Sequence, residues 1–149
     1  GGRSPKVAEA VQGDWRKIGV DLQIQMWDGT IVFSKLAQQD YDVWSIAYPY
    51  SSVGDAANLY WHSKNVPTPN RMNWKDKETD EWLEAGSAAL TDKERYDNFS
   101  KVMKKVHENA VWVPIVHEGV VMVANKKLKN LKAHNIYSSM LYKALDVGP

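Results

Sequence analysis

The sequence predicts an α/β fold, with helices packed on a mixed β-sheet. Two observations carry that reading. Helical and strand-like periodicities alternate through the opening third of the chain in the order α-β-α-β, the pattern of a parallel or mixed sheet covered by helices. Later apolar runs, residues 111–117 and 119–124, are too short for core helices and have strand lengths. With 149 residues, the chain fits one domain able to bury a single core.

Ser4-Pro5 reads as an N-cap followed by a first helical residue. Val7, Val11, Trp15 and Ile18 then mark one face of a helix, and Gly19 is a natural C-terminal cap. Val20, Leu22, Ile24 and Met26 alternate with Asp21, Gln23 and Gln25, the pattern of a half-buried strand. Asp28-Gly29-Thr30 makes a turn and cap, and a short helix over 31–37 places Phe33, Leu36 and Ala37 inward. A second strand begins near Tyr41, with Val43, Ser45 and Ala47 on one side and Trp44, Ile46 and Tyr48 on the other.

Pro49, the serines and Gly54 turn the following segment into a loop, and Asp55 is placed to cap a short helix through Tyr60. Residues 63–73 are irregular. Asp76 opens a helix with Trp82, Leu83, Gly86, Ala89 and Leu90 on one face. Thr91-Asp92-Lys93-Glu94 is a capping box for the next helix. Its inward stripe reads as Tyr96, Phe99, Met103, Val106 and Ala110; Lys93, Asp97, Lys101, Lys104 and Lys105 read as solvated charge. Val111 to His117 is a strand interrupted by Pro114, which belongs at an edge or a crossing because proline cannot donate to a ladder. Residues 119–124 form another strand, a lysine-rich loop follows, and one or two late strands lie within 136–147.

Composition excludes several classes. Hydrophobic content of 44% and charged content of 25% are those of a globular protein, and no run is long enough to span a membrane. A net charge of +1 gives no reason to expect nucleic acid or a membrane surface as partner. Cysteine is absent, so thiol chemistry is excluded. The first residues carry no apolar signal-peptide core. Seven Trp and seven Tyr against two Phe favour rings with a polar handle, suited to stacking sites as well as to the edges of a core.

The four histidines have no zinc spacing, no glycine loop cradles phosphate, and no Gly-x-Ser-x-Gly elbow occurs. Ser51, Ser52, Asp55 and His62 make a triad only on paper. No catalytic residue, metal or cofactor is therefore assigned. The candidate site is the corner beyond the second strand, since ligands in open α/β sheets lie past the carboxyl ends of strands. Its residues are Trp44, Tyr48, Tyr50, Ser51, Asn58 and Trp61, with Arg71, Asn73 and Trp74 as second choices. For Trp44 a core position is the competing reading.

The order "KIGVDLQIQ", "YDVWSIAYPY", "NWKDKETDEWL" and "LTDKERYDNFSKVMKKVHENAVWVPIVHEGVVMVANKKLKNL" resembles the C-terminal part of family 5 extracellular solute-binding proteins. These are the peptide, dipeptide, nickel and oligosaccharide receptors of bacterial ABC importers, and the match runs from Ser4 to Leu131. The resemblance implies that residues 1–149 are one lobe of a two-lobed, type II periplasmic receptor, with residues 116–149 crossing back toward the other lobe. It further implies a small-molecule ligand (sugar, opine or peptide), an ABC permease as partner, and no enzymatic activity. The resemblance also implies that peptide-binding members commonly carry an Asp three residues after an aromatic in this strand-end loop, pairing with the peptide's amino group. It further implies, in some members, an Arg six residues before that Asp, placed for the peptide's carboxylates. Aligned without gaps on Tyr48, the Asp corresponds to Ser51 and the Arg to Ser45, and both charges are missing. A buried charge without a partner costs several kcal/mol, so the expectation leans to an oligosaccharide or sugar-derived opine. The alternatives are an oligopeptide or dipeptide, which an insertion bringing Asp55 into the Asp role would favour, an α/β hydrolase or transferase, and a protein-interaction module.

Overall fold

Phe99 lies where three helices meet. The computed structural model describes residues 5–46, 52–115, 123–129 and 146–147. Among them are α1 (Pro5–Lys17), α2 (Gly29–Gln38), α3 (Val53–Trp61), α4 (Lys77–Ala88) and α5 (Asp92–Glu108). A 3-10 turn covers Ser63–Asn65. One short antiparallel pair joins β1 (Leu128–Lys129) to β2 (Asp146–Val147), with Leu128 opposite Val147.

The helix ends follow local chemistry. α1 closes on Gly19 at φ +83°, with the Val20 amide donating to the Trp15 carbonyl and the Gly19 amide to that of Arg16. That is a Schellman cap, formed where the sequence places it. Asp28 caps α2 by accepting from the Thr30 and Ile31 amides. Thr91 caps α5, its hydroxyl accepting from the Glu94 amide and donating to the Glu94 carboxylate. At α3 the cap is Ser52 rather than Asp55. The Asp55 amide donates to the Ser52 hydroxyl, which in turn donates to the Asp55 carboxylate at 2.7 Å, so Asp55 occupies the third helical position.

The core is helical. Ala57, Tyr60 and Trp61 of α3, Leu83 of α4, and Phe99, Val102 and Val106 of α5 form one buried cluster, with Met72, Trp74, Trp82, Val111 and Trp112 packed around it. The inward stripe of α5 is thus Phe99-Val102-Val106. Tyr96 is 66% exposed and Met103 44% exposed, one helical position off the stripe expected for them. On α4, Leu83 and Gly86 are buried with Thr79, whereas Leu90 lies beyond the helix and stands in solvent. Of the residues expected inward on α2, only Leu36 is buried.

The expected mixed sheet is not present among the described residues. Residues 20–27 keep alternating exposure at their centre, with Leu22 and Ile24 half-buried between exposed neighbours, but form no ladder. Residues 43–46, 111–115 and 123–124 likewise form none, and the remainder of those runs lies outside the described residues. A strand has no stable existence without a paired neighbour, so apolar alternation alone does not make one. Helices satisfy their backbone internally and form where caps and a packing partner coincide.

Two glycines let α3 and α4 close on α5. A Cβ at Gly54 would lie 2.7 Å from Phe99 Cε2, and one at Gly86 would lie 3.0 Å from Phe99 Cε1. The ring cannot retreat from one helix without pressing on the other. Gly86→Ala should therefore destabilise the fold by about 1–3 kcal/mol, although alanine favours a helix interior over glycine by about 1 kcal/mol. Urea unfolding checks this, and the penalty should shrink in a Phe99→Leu background, where the ring edge is gone.

Candidate functional site

Trp44 apart, the predicted site residues fall into three groups. Tyr48, Tyr50 and Ser51 lie outside the described residues. Asn58 and Trp61 project from α3 into its packing interface. Asn58 Nδ2 donates to the Gly54 carbonyl and to Ser87 Oγ, both at 2.9 Å, which ties α3 to α4. Trp61 is 7% exposed and meets Trp112 edge-on at 5.7 Å, while the Tyr60 ring, tilted by 52°, also lies 5.7 Å from it. Trp44 is half-buried, with its ring edge-on to Tyr41 at 6.2 Å.

The third group stands on the connection from α3 to α4, residues 62–76. Its shape is set by two asparagines and a histidine. Asn65 Nδ2 donates to the carbonyls of Asn58 and Leu59, closing the end of α3. Asn70, fully buried, donates through Nδ2 to the carbonyls of His62 and Trp74, pulling the two ends of the loop together. Buried amides cost free energy unless paired, so these contacts specify the loop's path. His62 is buried against α4, with Nδ1 3.1 Å from Asp80 Oδ1 and Nε2 3.3 Å from Glu84 Oε1.

This frame presents Arg71, Asn73 and Trp74 together. The Arg71 guanidinium lies 4.9 Å from the Phe33 ring of α2, a cation–π contact, and the Arg71 carbonyl accepts from Gln39 Nε2. Asn73 is exposed with φ +55°, a left-handed conformation that asparagine tolerates better than most residues. Trp74 is half-buried, its indole donating to Thr79 Oγ1 at 3.3 Å. The structure thus gathers a cation, an amide and an amphipathic ring on one short loop. His62, Asn70 and Asp80, which hold that loop, were not singled out as site residues in the sequence. Asn65 and Asn70 bracketing Pro67 and Pro69 are the local signal of a pinned loop.

Among the described residues the hydroxyls make no catalytic triad. The Ser52 hydroxyl donates to Asp55. Ser63 Oγ and His62 Nδ1 both approach Asp80, leaving the carboxylate between serine and imidazole. A nucleophile needs the imidazole between them, where it can take the hydroxyl proton. Among the described residues no group of three or more His, Cys, Asp or Glu is placed to hold a metal ion.

Behind the loop, Asp76 caps α4 and meets α5. Its carboxylate accepts from the Thr79 amide and hydroxyl at 2.8 and 2.7 Å, and from Lys105 at 2.8 Å. Lys105 also pairs with Glu78 at 2.5 Å and lies 5.4 Å from the Trp82 ring. It is a 22%-exposed strut between helices, not the solvated charge expected of it. A shallow depression of about 370 Å³ beside it, lined by Trp82, Lys101 and Glu108 among others, contains none of the predicted site residues.

No protein-family model matches the chain. The chain is 24% identical over 123 residues to the di/tripeptide-binding protein 2 of Pseudomonas aeruginosa (strain UCBPP-PA14), covering 78% of this chain and 23% of that protein. It is 22% identical over 149 residues to the probable D,D-dipeptide-binding periplasmic protein DdpA of Escherichia coli (strain K12), covering 95% and 27% respectively. The chain spans about a quarter of the length of these curated relatives. Both similarities agree with the resemblance to family 5 solute-binding proteins, and both relatives are named for peptides rather than sugars.

The Asp76–Lys105 strut gives a pH dependence. Burial alone would raise the Asp76 carboxyl, but hydrogen bonds from Lys105 and Thr79 outweigh it and hold the group below its ordinary value. A carboxylate depressed on folding stabilises the fold above its unfolded pKa, and that stability is lost as pH falls through the folded value. Asp76→Asn should therefore lower Tm at neutral pH. The gap to wild type should close as pH drops below about 4, the ordinary range of an aspartate.

Proposed function

We propose that this chain is a ligand-contacting part of a solute receptor serving an ABC importer, and that its ligand is a short peptide. The carrying observation is that two relatives, matched over most of this chain, are both named as dipeptide-binding or di/tripeptide-binding proteins. The peptide reading is accordingly preferred to the oligosaccharide or opine that the missing charges at Ser45 and Ser51 suggested. That preference rested on a gapless alignment. Two charges follow in the sequence: Asp55, four residues beyond Ser51 and exposed at the start of α3, and, further on, Arg71 on the pinned loop. They supply the groups that a zwitterion's ammonium and carboxylate require.

In this reading Trp44, Tyr48, Tyr50 and Ser51 contribute rings and a hydroxyl from the segment 44–51, and Arg71, Asn73 and Trp74 contribute from the loop. The work is capture, not turnover. A ligand gripped from two sides favours the closed state by its extra contacts there, and a permease then reads closure. Such a receptor works in the periplasm. No helix among the described residues is long and apolar enough to cross a membrane.

Calorimetric titration with dialanine and with a neutral trisaccharide tests the ligand class. The peptide should give saturable heat and the sugar none; the reverse would restore the oligosaccharide. Asp55→Asn leaves the Ser52 cap available and removes the charge. It should weaken dialanine at least tenfold, about 1.4 kcal/mol, while leaving N-acetyl-dialanine unchanged. Equal weakening of both peptides would remove Asp55 from the site.

A further inference from the structure

Gln39 ends α2 in the left-handed region, at φ +59° and ψ +29°, where an L-residue meets a Cβ penalty that glycine escapes. Its side chain shows what the position is used for. Nε2 donates to the Leu36 carbonyl at 3.0 Å, completing the cap, and to the Arg71 carbonyl at 3.3 Å, across 32 residues of sequence. The same side chain is in hydrogen-bonding contact with Tyr41, whose ring meets Trp44 edge-on at 6.2 Å. Leu36 and Phe33 lie three and six positions before Gln39, on the same side of α2. Leu36 is buried, and the Phe33 ring takes the Arg71 guanidinium at 4.9 Å. The Arg71 amide donates to the Pro69 carbonyl at 2.9 Å. Amide, carbonyl and guanidinium of this one arginine are thus each held, the last two by α2 and its cap.

We infer that Gln39 and Phe33 are positioning residues for Arg71, and that they thereby make the site selective for a free carboxylate on the ligand. The inference rests on the peptide reading above. A guanidinium is planar. An aromatic ring takes its face, whereas its N–H donors point outward along its edge, where a carboxylate accepts two of them in parallel. Contact with Phe33 therefore restrains the plane in which those donors point without competing for them. Gln39 fixes the other end of the same side chain, because the carbonyl it holds belongs to the residue that carries the guanidinium. Restraint at both ends removes freedom that a long side chain would otherwise lose on binding. A carboxylate then meets an oriented fork rather than a diffuse charge. A carboxamide, uncharged and with a single acceptor oxygen, cannot use that fork.

Calorimetric titration with dialanine and with dialaninamide, which lacks the carboxylate, tests this. Phe33→Leu removes the ring from an exposed position, and Gln39→Gly relieves the left-handed backbone while removing the amide, so circular dichroism should be unchanged in both. Each should weaken dialanine by about threefold or more and leave dialaninamide unchanged. Before any ligand is added, the Arg71 ε-proton, identified by its loss in Arg71→Lys, should resonate upfield in the ring current of Phe33. That shift should disappear in Phe33→Leu and shrink in Gln39→Gly. Equal weakening of both ligands, or dialanine binding indifferent to either substitution, would overturn the inference and leave the peptide reading standing. An ε-proton unmoved by Gln39→Gly would overturn it as well. Dialanine that fails to bind the wild type would remove the peptide reading, and the carboxylate selectivity with it.

Discussion

The contact on which the described structure depends is the Phe99 ring held between two glycine backbones. One aromatic side chain from α5 reaches both α3 and α4 because neither presents a Cβ at the crossing. Close approach brings Leu83 and Val102 fully out of water and lets Ala57, Tyr60 and Trp61 close the third side. Burial of such side chains contributes about 1.5–3 kcal/mol each. A core of this size exists only while all three helices remain in register on the ring.

From that core the stabilisation passes outward through polar groups. The connection from α3 to α4 is rich in proline and asparagine and, beyond Met72 and Trp74, which pack against the core, has little apolar surface to bury. It is instead tied by Asn65 and Asn70 to backbone carbonyls and by His62 to two α4 carboxylates. Directional bonds fix a path where hydrophobic burial cannot, and the result is a rigid mount for Arg71, Asn73 and Trp74. Asp76 and Lys105 perform the same task at the other end of the loop, fastening the start of α4 to the flank of α5. The proposed recognition of a peptide by this loop draws on that rigidity, since a preorganised cation loses less freedom on binding than a mobile one.

Much of the helical architecture was legible in the sequence, because caps are local. Gly19, Asp28, Asp76 and Thr91 each act within one turn of their own backbone, so no knowledge of the fold is needed to place them. The facing of α5 was less legible. Val102 and Met103 are adjacent and both apolar, and the choice between them is made by the direction from which α3 and α4 arrive. Lys105 is ambiguous for the same reason: only the fold puts Asp76 and Glu78 within its reach. The strands were the least legible. Residues 20–26 carry a clean alternation, yet a ladder needs a second strand that the pattern does not specify. Of the candidate site, Arg71, Asn73 and Trp74 do share one loop, whereas Asn58 and Trp61 are engaged in helix packing, a role that an aromatic-rich sequence cannot separate from ligand contact.

Native-state hydrogen exchange tests the central claim most directly. If Phe99 joins α3, α4 and α5 into one cooperative unit, the slowest amides of all three helices will open with a single free energy, and Phe99→Leu will lower that value equally in each. Separate opening of α3, with α4 and α5 unaffected, would contradict the account.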